Sequence, residues 1–380
     1  MGTRTAGRMM GVLGLGMFGL GLAVGGFGTY VSELVERGVD PATAGLGSTL
    51  FLLGQLCIVL PADTLSRRWS LRSVTAIGLL LGGIGTVLGG VLWVPVHLGS
   101  RLLLGVGNGI VFLLAIKYAG LRVESGKVAR VQGLLGALFT LGLAVGIATT
   151  PSGVSAYGPL FPSVVASVPT LCSGVFVLSL QPVRTQPVER LSSYLDPFRN
   201  AHGIALGLAN AASYGLLIVA ITWYTDIVSG VPALPVTLVL SGFAVATFVG
   251  RTGSGWLTVV ASERQAVGGS LLFLTVALGL AAVGLQYDSS SLLVASLVLT
   301  GCGFGLPFGP LFSLAFASVG SDAGVLLVGM TALGNAAALA YPWLVGWLLS
   351  VTDGYVVGFA VMSLSVLVVT VLWEQAVDPA

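Results

Sequence analysis

Apolar runs of about 20 residues recur along the chain, each closed by a short polar or charged segment. That length is what a helix rising ~1.5 Å per residue needs to cross a hydrocarbon core. Reading for such runs predicts helices over Met9–Tyr30, Ala42–Ala62, Ser73–Val94, Val96–Ile116, Val131–Thr150 and Leu160–Leu180. A polar stretch with Arg184, Glu189, Arg190, Asp196 and Arg199 follows. Six more runs then predict helices over Gly203–Tyr224, Pro235–Leu257, Ala266–Leu285, Leu292–Ser318, Val325–Leu349 and Tyr355–Trp373. The expected fold class is an all-α membrane protein of twelve transmembrane helices. Its expected organisation is a six-helix bundle over 1–181, a linker over 182–201, and a second six-helix bundle over 202–380.

Composition agrees with a lipid solvent. Apolar residues make up 55% of the 380 and charged ones 8%, with a mean hydropathy of +1.00. A soluble surface takes roughly a quarter of the residues as charges, and a single soluble core stops growing near ~250–300 residues. The first run, behind Arg4 and Arg8, is too long for a signal-peptide core and lacks a small-residue cleavage pattern, so it reads as the first span. Ala6 stands where a myristoylation motif needs Ser or Thr.

Charge sets an expected orientation. With the N-terminus inside the cell, the inner loops hold Arg4, Arg8, Arg67, Arg68, Arg72, Lys117, Arg122, Lys127, Arg130, Arg184, Arg190, Arg199 and Arg264. The outer loops hold Arg37 and the acids Glu33, Glu36, Asp40, Asp226, Asp288 and Asp353. Basic loops favour the inner face, so both termini are expected in the cytoplasm of a plasma or inner membrane. The net charge of +2 is small and the bases are scattered, which gives no nucleic-acid partner. Cys57, Cys172 and Cys302 lie in apolar runs without metal spacing and read as small buried hydrophobes. His97 and His202 sit at helix ends far apart, so neither a metal nor a cofactor is expected.

The two halves repeat at an offset of 196 residues. Gly105-x-Gly107-x-Gly109 recurs as Gly301-x-Gly303-x-Gly305, and Arg67-Arg68 as Glu263-Arg264. Gly19, Gly54, Gly83 and Gly133 recur as Gly215, Gly250, Gly279 and Gly329. Glycine is abundant, with 56 copies, so single matches mean little, but an ungapped triple at the offset that also aligns the charged loops is a real repeat. Parallel repeats of this kind build one large transporter class, with its site between the halves.

At this point the chain resembles the major facilitator superfamily over essentially its whole length. The segment Val59-Leu-Pro-Ala-Asp63-Thr-Leu-Ser66-Arg67-Arg68 is similar to that family's loop pattern G-x-L-A-D-R-x-G-R-R; Val59, Thr64 and Ser66 depart from it. Gly255-Trp-Leu257 begins a second copy that decays at Val259. Arg101-x-x-x-Gly105-x-Gly107 resembles the fourth-helix pattern. Gly133, Gly142 and Gly146 open the drug-antiporter motif, which Ile147 and Thr150-Pro151 then break. The resemblance implies that Asp63, Arg67 and Arg68 form a latch between helices 2 and 11 in one state of an alternating cycle; the alternative is that the two arginines only set topology.

Ionisable residues within spans mark function by default. On this segmentation Arg101 and Arg251 lie inside helices and no Asp or Glu does. Arginine stays charged, so each needs a substrate anion, carbonyls or water. Gly250-Arg251-x-x-x-Gly255-Trp256-Leu257 is similar to the eighth helix of the oxalate–formate and monocarboxylate branches, where the arginine binds the carboxylate; a structural or gating role is the alternative. Arg101 either joins Asn108 on a cavity face or snorkels to the outer interface. Asn210 and Tyr214 share one face of helix 7 as cavity contacts, Asn335 reads as interhelical glue, and Gln55 stands opposite Arg251 in the repeat. Trp93, Trp223, Tyr224, Trp343, Trp347 and Trp373 fall toward span ends as an aromatic belt, and Pro307 and Pro310 are expected to kink helix 10 into a gate.

The leading expectation is therefore a monomeric, non-enzymatic carrier of a small solute, with a small organic anion such as a monocarboxylate favoured. A drug or hydrophobic-compound antiporter predicts a membrane acid that the segmentation lacks. A non-transporting membrane receptor on the same fold predicts lost cavity polarity or an added soluble domain.

Overall fold

The computed structural model describes residues 3–185, 191–229, 236–319, 323–352 and 354–376; Glu189, Arg190, Pro235 and Asp353 lie outside them. Among the described residues, twelve helices are long and apolar enough to cross a membrane. They are α1 (Gly7–Glu36), α2 (Thr43–Arg68), α3 (Leu71–Gly89), α4 (Val94–Arg122), α5 (Val128–Tyr157) and α6 (Leu160–Ser179), followed by α7 (Ala201–Ser229), α8 (Val236–Val260), α9 (Glu263–Gln286), α10 (Ser290–Ala317), α11 (Gly324–Thr352) and α12 (Tyr355–Ala376). No β-strand occurs among the described residues.

The helices begin where side chains can satisfy the first free N–H groups. Ser70 Oγ accepts from Ser73 N ahead of α3, Asn200 Oδ1 accepts from Gly203 N at the start of α7, and Ser262 and Gln265 form a reciprocal capping box on α9. Several helices run further than their apolar cores. α2 continues to Arg68 and α4 to Arg122, so Asp63 and Lys117, expected in loops or at their edges, are helical. Internal prolines have unequal effects. Pro61, Pro151, Pro169 and Pro342 lie inside continuous helices, whereas α10 stops at Gly305 and restarts at Phe308, a break at Pro307 where a ring cannot continue the hydrogen-bond ladder. Pro310 is buried in the restarted segment. In α7, Ala211–Gly215 form a π-helical turn that the residue pattern did not announce.

The chain divides into two compact units, residues 1–124 with 138–189, and residues 125–137 with 190–380. Within each, the repeated glycines let backbones meet. A Cβ on Gly105 would land on the Phe51 carbonyl, and one on Gly107 on the backbone of Gly78 and Gly82. In the second unit a Cβ on Gly301 would strike the Phe243 carbonyl, and one on Gly303 would press on Leu274, the repeat mate of Gly78. The 196-residue repeat is thus the same crossing of a fourth helix on its neighbours, built twice.

Two expectations from apolar context fail. Cys57 and Cys172 are exposed and Cys302 is half-buried, because in a membrane helix the outward face is as apolar as the core. Trp93, Trp343 and Trp347 are exposed as an aromatic belt requires, but Tyr224 and Trp373 are buried. Their polar atoms explain why: Tyr224 hydroxyl bonds Thr300 Oγ1 at 2.8 Å, and Trp373 Nε1 donates to the Arg264 carbonyl at 3.1 Å.

Candidate functional site

In the first unit two polar clusters lie far apart on α4. Arg101, near its start, is buried rather than extended to the surface. Its guanidinium carbon sits 4.4 Å from the Phe27 ring centroid and 5.5 Å from that of Tyr30, a stacked geometry favourable to a cation. The fully buried His97 orients it. His97 Nδ1 lies 2.9 Å from the Gly89 carbonyl and must donate there, which leaves Nε2 to accept from Arg101 Nε at 3.5 Å. That bond is the only one Arg101 makes among the described residues, and its side chain lines a small cavity with Thr86, Tyr30, Thr150 and Ser163. Tyr30 and Ser163 bridge α1 and α6 at 2.7 Å. Asn108, further along α4, is buried with no partner for its amide oxygen among the described residues. Gln55 is buried on α2, and its backbone packs against Gly109.

The sequence named Asp63 and Arg67 of the second cluster but not Lys117. Asp63 is 0% exposed and Lys117 1%. Lys117 Nζ is ion-paired with Asp63 Oδ1, while Arg67 Nε donates to Asp63 Oδ2 at 2.6 Å. Two buried cations thus share one carboxylate, and Lys117 also reaches Thr185 Oγ1 at 3.4 Å. Asp63 and Arg67 therefore lie together as the loop pattern implies, with an α4 lysine joining them. Arg68 is exposed and outside the cluster. The apolar continuation after Lys117 (Tyr118-Ala-Gly-Leu121) is the signal that could have placed the lysine in a helix. The repeat keeps a trace of this site: Glu263 and Ser313, the repeat mates of Arg67 and Lys117, are hydrogen-bonded at 2.5 Å.

In the second unit Arg251 is buried on α8. Its NH1 donates to the Gly136 carbonyl at 3.0 Å, and its guanidinium carbon lies 4.6 Å from the Phe308 ring centroid, just after the α10 break. Tyr214, on the π-turn of α7, stands close enough to interact with it electrostatically. Such turns are frequent at functional sites. Asn210 ties α7 to α11: its Nδ2 donates to the Met330 carbonyl at 2.7 Å. Asn335, expected as glue, is fully buried and neither amide atom has a partner among the described residues. Ion pairs among the described residues involve neither Arg101 nor Arg251.

Solved structures of similar architecture cover nearly the whole chain. The E. coli fucose:proton symporter FucP aligns with a TM-score of 0.74 at 15% identity, covering 97% of this chain and 98% of that one. The human organic anion transporter MFSD10 (TETRAN) aligns with 0.77 at 16%, covering 97% and 99%. The proton:xylose symporter XylE, bound to 6-bromo-6-deoxy-D-glucose, aligns with 0.79 at 11%, covering 100% and 97%. At these identities the likeness is one of fold. No curated protein matches the chain significantly. The profile of the Major Facilitator Superfamily matches residues 13–338, and the chain belongs to that superfamily.

Proposed function

We propose that this protein moves a small organic anion, with a monocarboxylate favoured, across a plasma or inner membrane by alternating access. The superfamily and its fold support transport of a small solute through a lipid bilayer. One observation carries the choice of an anion. Among the described residues, both membrane-buried arginines outside the Asp63 cluster have neutral partners only: carbonyl, imidazole and aromatic faces. A guanidinium stays charged in the membrane and its planar fork matches a carboxylate. A fixed cation without a fixed counter-charge favours an anionic cargo, as it would disfavour a hydrophobic cation. One fold neighbour is an organic anion transporter; two others are sugar symporters.

In this reading Arg251, Tyr214, Arg101 and Asn108 are cargo contacts, with Gln55 and Asn210 supporting them. Asp63, Arg67 and Arg68 form the latch, and the Pro307 break with Pro310 the hinge. The protein acts as a monomer with both termini cytoplasmic, as the loop charges favour, and with six-helix halves over 1–181 and 202–380 joined by 182–201. The test is uptake of labelled solutes into proteoliposomes by wild type and Arg251→Gln. A charged hydrogen bond lost from the cargo is expected to lower anion uptake about tenfold or more. Undiminished anion uptake by the variant overturns the Arg251 assignment, and uptake confined to cations or neutral sugars overturns the cargo class.

A further inference from the structure

At the junction of α2 and α3 the first unit holds a basin of about 640 Å³ lined by Arg68, Trp69, Ser70, Arg72, Ser73, Pro182 and Arg184. Three guanidinium groups line it, and among the described residues no acid does. The basin is built, because its basic groups also clamp its wall. Arg72 NH1 donates to the carbonyls of Leu178 (3.0 Å) and Leu180 (2.7 Å), Arg184 Nε donates to the Trp69 carbonyl (3.1 Å), and Leu71 N donates to the Val183 carbonyl (2.9 Å). Each of these arginines has donors left over, and the exposed Arg68 makes no hydrogen bond among the described residues. The N-terminus of α3, capped by Ser70, adds its partial positive charge.

What lies beside the basin identifies its ligand. Ser73 lines it, and Ile77, Leu80, Ile84 and Leu88 continue the same face of α3 at helical spacing, all exposed. Leu178, Phe176 and Val175 of α6 are exposed as well. Trp69, at the end of α2, is 52% exposed, the position of an indole at a membrane–water boundary. A free phosphate explains the arginines but not the apolar track below them. An anionic phospholipid explains both: the phosphate among the guanidinium groups, the indole at the headgroup level, and the acyl chains along α3 and α6. We propose that this basin is a binding site for the headgroup of an anionic phospholipid of the phosphatidylglycerol type. The site is independent of the cargo.

The test is lipid retention by the full-length protein in detergent with equimolar phosphatidylglycerol and phosphatidylcholine, read by native mass spectrometry, for wild type, Arg68→Gln and the triple variant Arg68→Gln/Arg72→Gln/Arg184→Gln. Arg68 makes no hydrogen bond among the described residues, so its single variant remains informative if the triple one unfolds. Each arginine is expected to contribute about fivefold to the preference for phosphatidylglycerol, lost stepwise in the variants. Equal retention of the two lipids by wild type overturns the proposal, as does a preference unchanged in Arg68→Gln. Inorganic phosphate added as competitor is expected to leave the preference in place; its abolition at comparable phosphate and lipid concentrations assigns the basin to a soluble phosphate and overturns the lipid.

Discussion

Removing the Asp63 carboxylate is the most decisive perturbation of the first unit. Two cations converge on the Asp63 carboxylate, and the side chains of Asp63, Lys117 and Arg67 are 0%, 1% and 3% exposed. Asp63→Asn takes away the carboxylate that Lys117 and Arg67 share and strands Lys117, whose other partner among the described residues is the neutral Thr185 hydroxyl. Stranding one costs about 3–5 kcal/mol, so the variant is expected to lose at least that much. Lys117→Met acts in the opposite sense. It leaves Asp63 with Arg67, a neutral pair 2.6 Å apart, and removes one buried charge along with its desolvation. Its expected cost is at most about 1.5–3 kcal/mol, the worth of a charged hydrogen bond. Adding Lys117→Met to Asp63→Asn relieves one stranded cation, so the double variant is expected to be more stable than Asp63→Asn alone, a coupling of about 2 kcal/mol. Thermal unfolding of the four proteins in one detergent completes the cycle. Equal losses in the two single variants, or losses that add in the double one, refute the reasoning.

Two further substitutions test the packing. Gly105→Ala places a methyl on the Phe51 carbonyl at the α2–α4 crossing; backbone cannot yield as a side chain does, and a loss of about 1–3 kcal/mol is expected in the same melts. A melting temperature equal to that of wild type contradicts the close approach. Asn335→Leu removes two buried polar atoms that have no partners among the described residues, so stability is expected to hold or rise by about 1 kcal/mol. A marked loss shows that the amide is satisfied in the folded protein.

The spans were legible because the bilayer sets a length that any reader of hydropathy can measure. Pro307 was legible as a break, yet Pro61 and Pro342 look the same in sequence and interrupt nothing, since neighbouring helices decide whether freed backbone groups find partners. The partners of Asn210 and Asn335 were illegible for the same reason: an amide at mid-span ties helices only if a carbonyl such as that of Met330 stands within reach. Arg101 and Arg251 could be picked out as buried cations, but not His97 as the group that aims one of them or Gly136 as the acceptor of the other.

By itself the sequence determined the twelve helices, their division six and six, and the internal repeat. Each rests on runs and spacings within the chain, which hydrophobic length and charge encode locally. Only the tertiary structure decided which polar residues meet. Asp63 and Lys117 are 54 residues apart, and nothing along the chain shows that two ends of apolar runs will share a carboxylate. The glycines that let α2 and α4 close on one another bring them together, and a charge that looked like loop became the centre of a buried cluster.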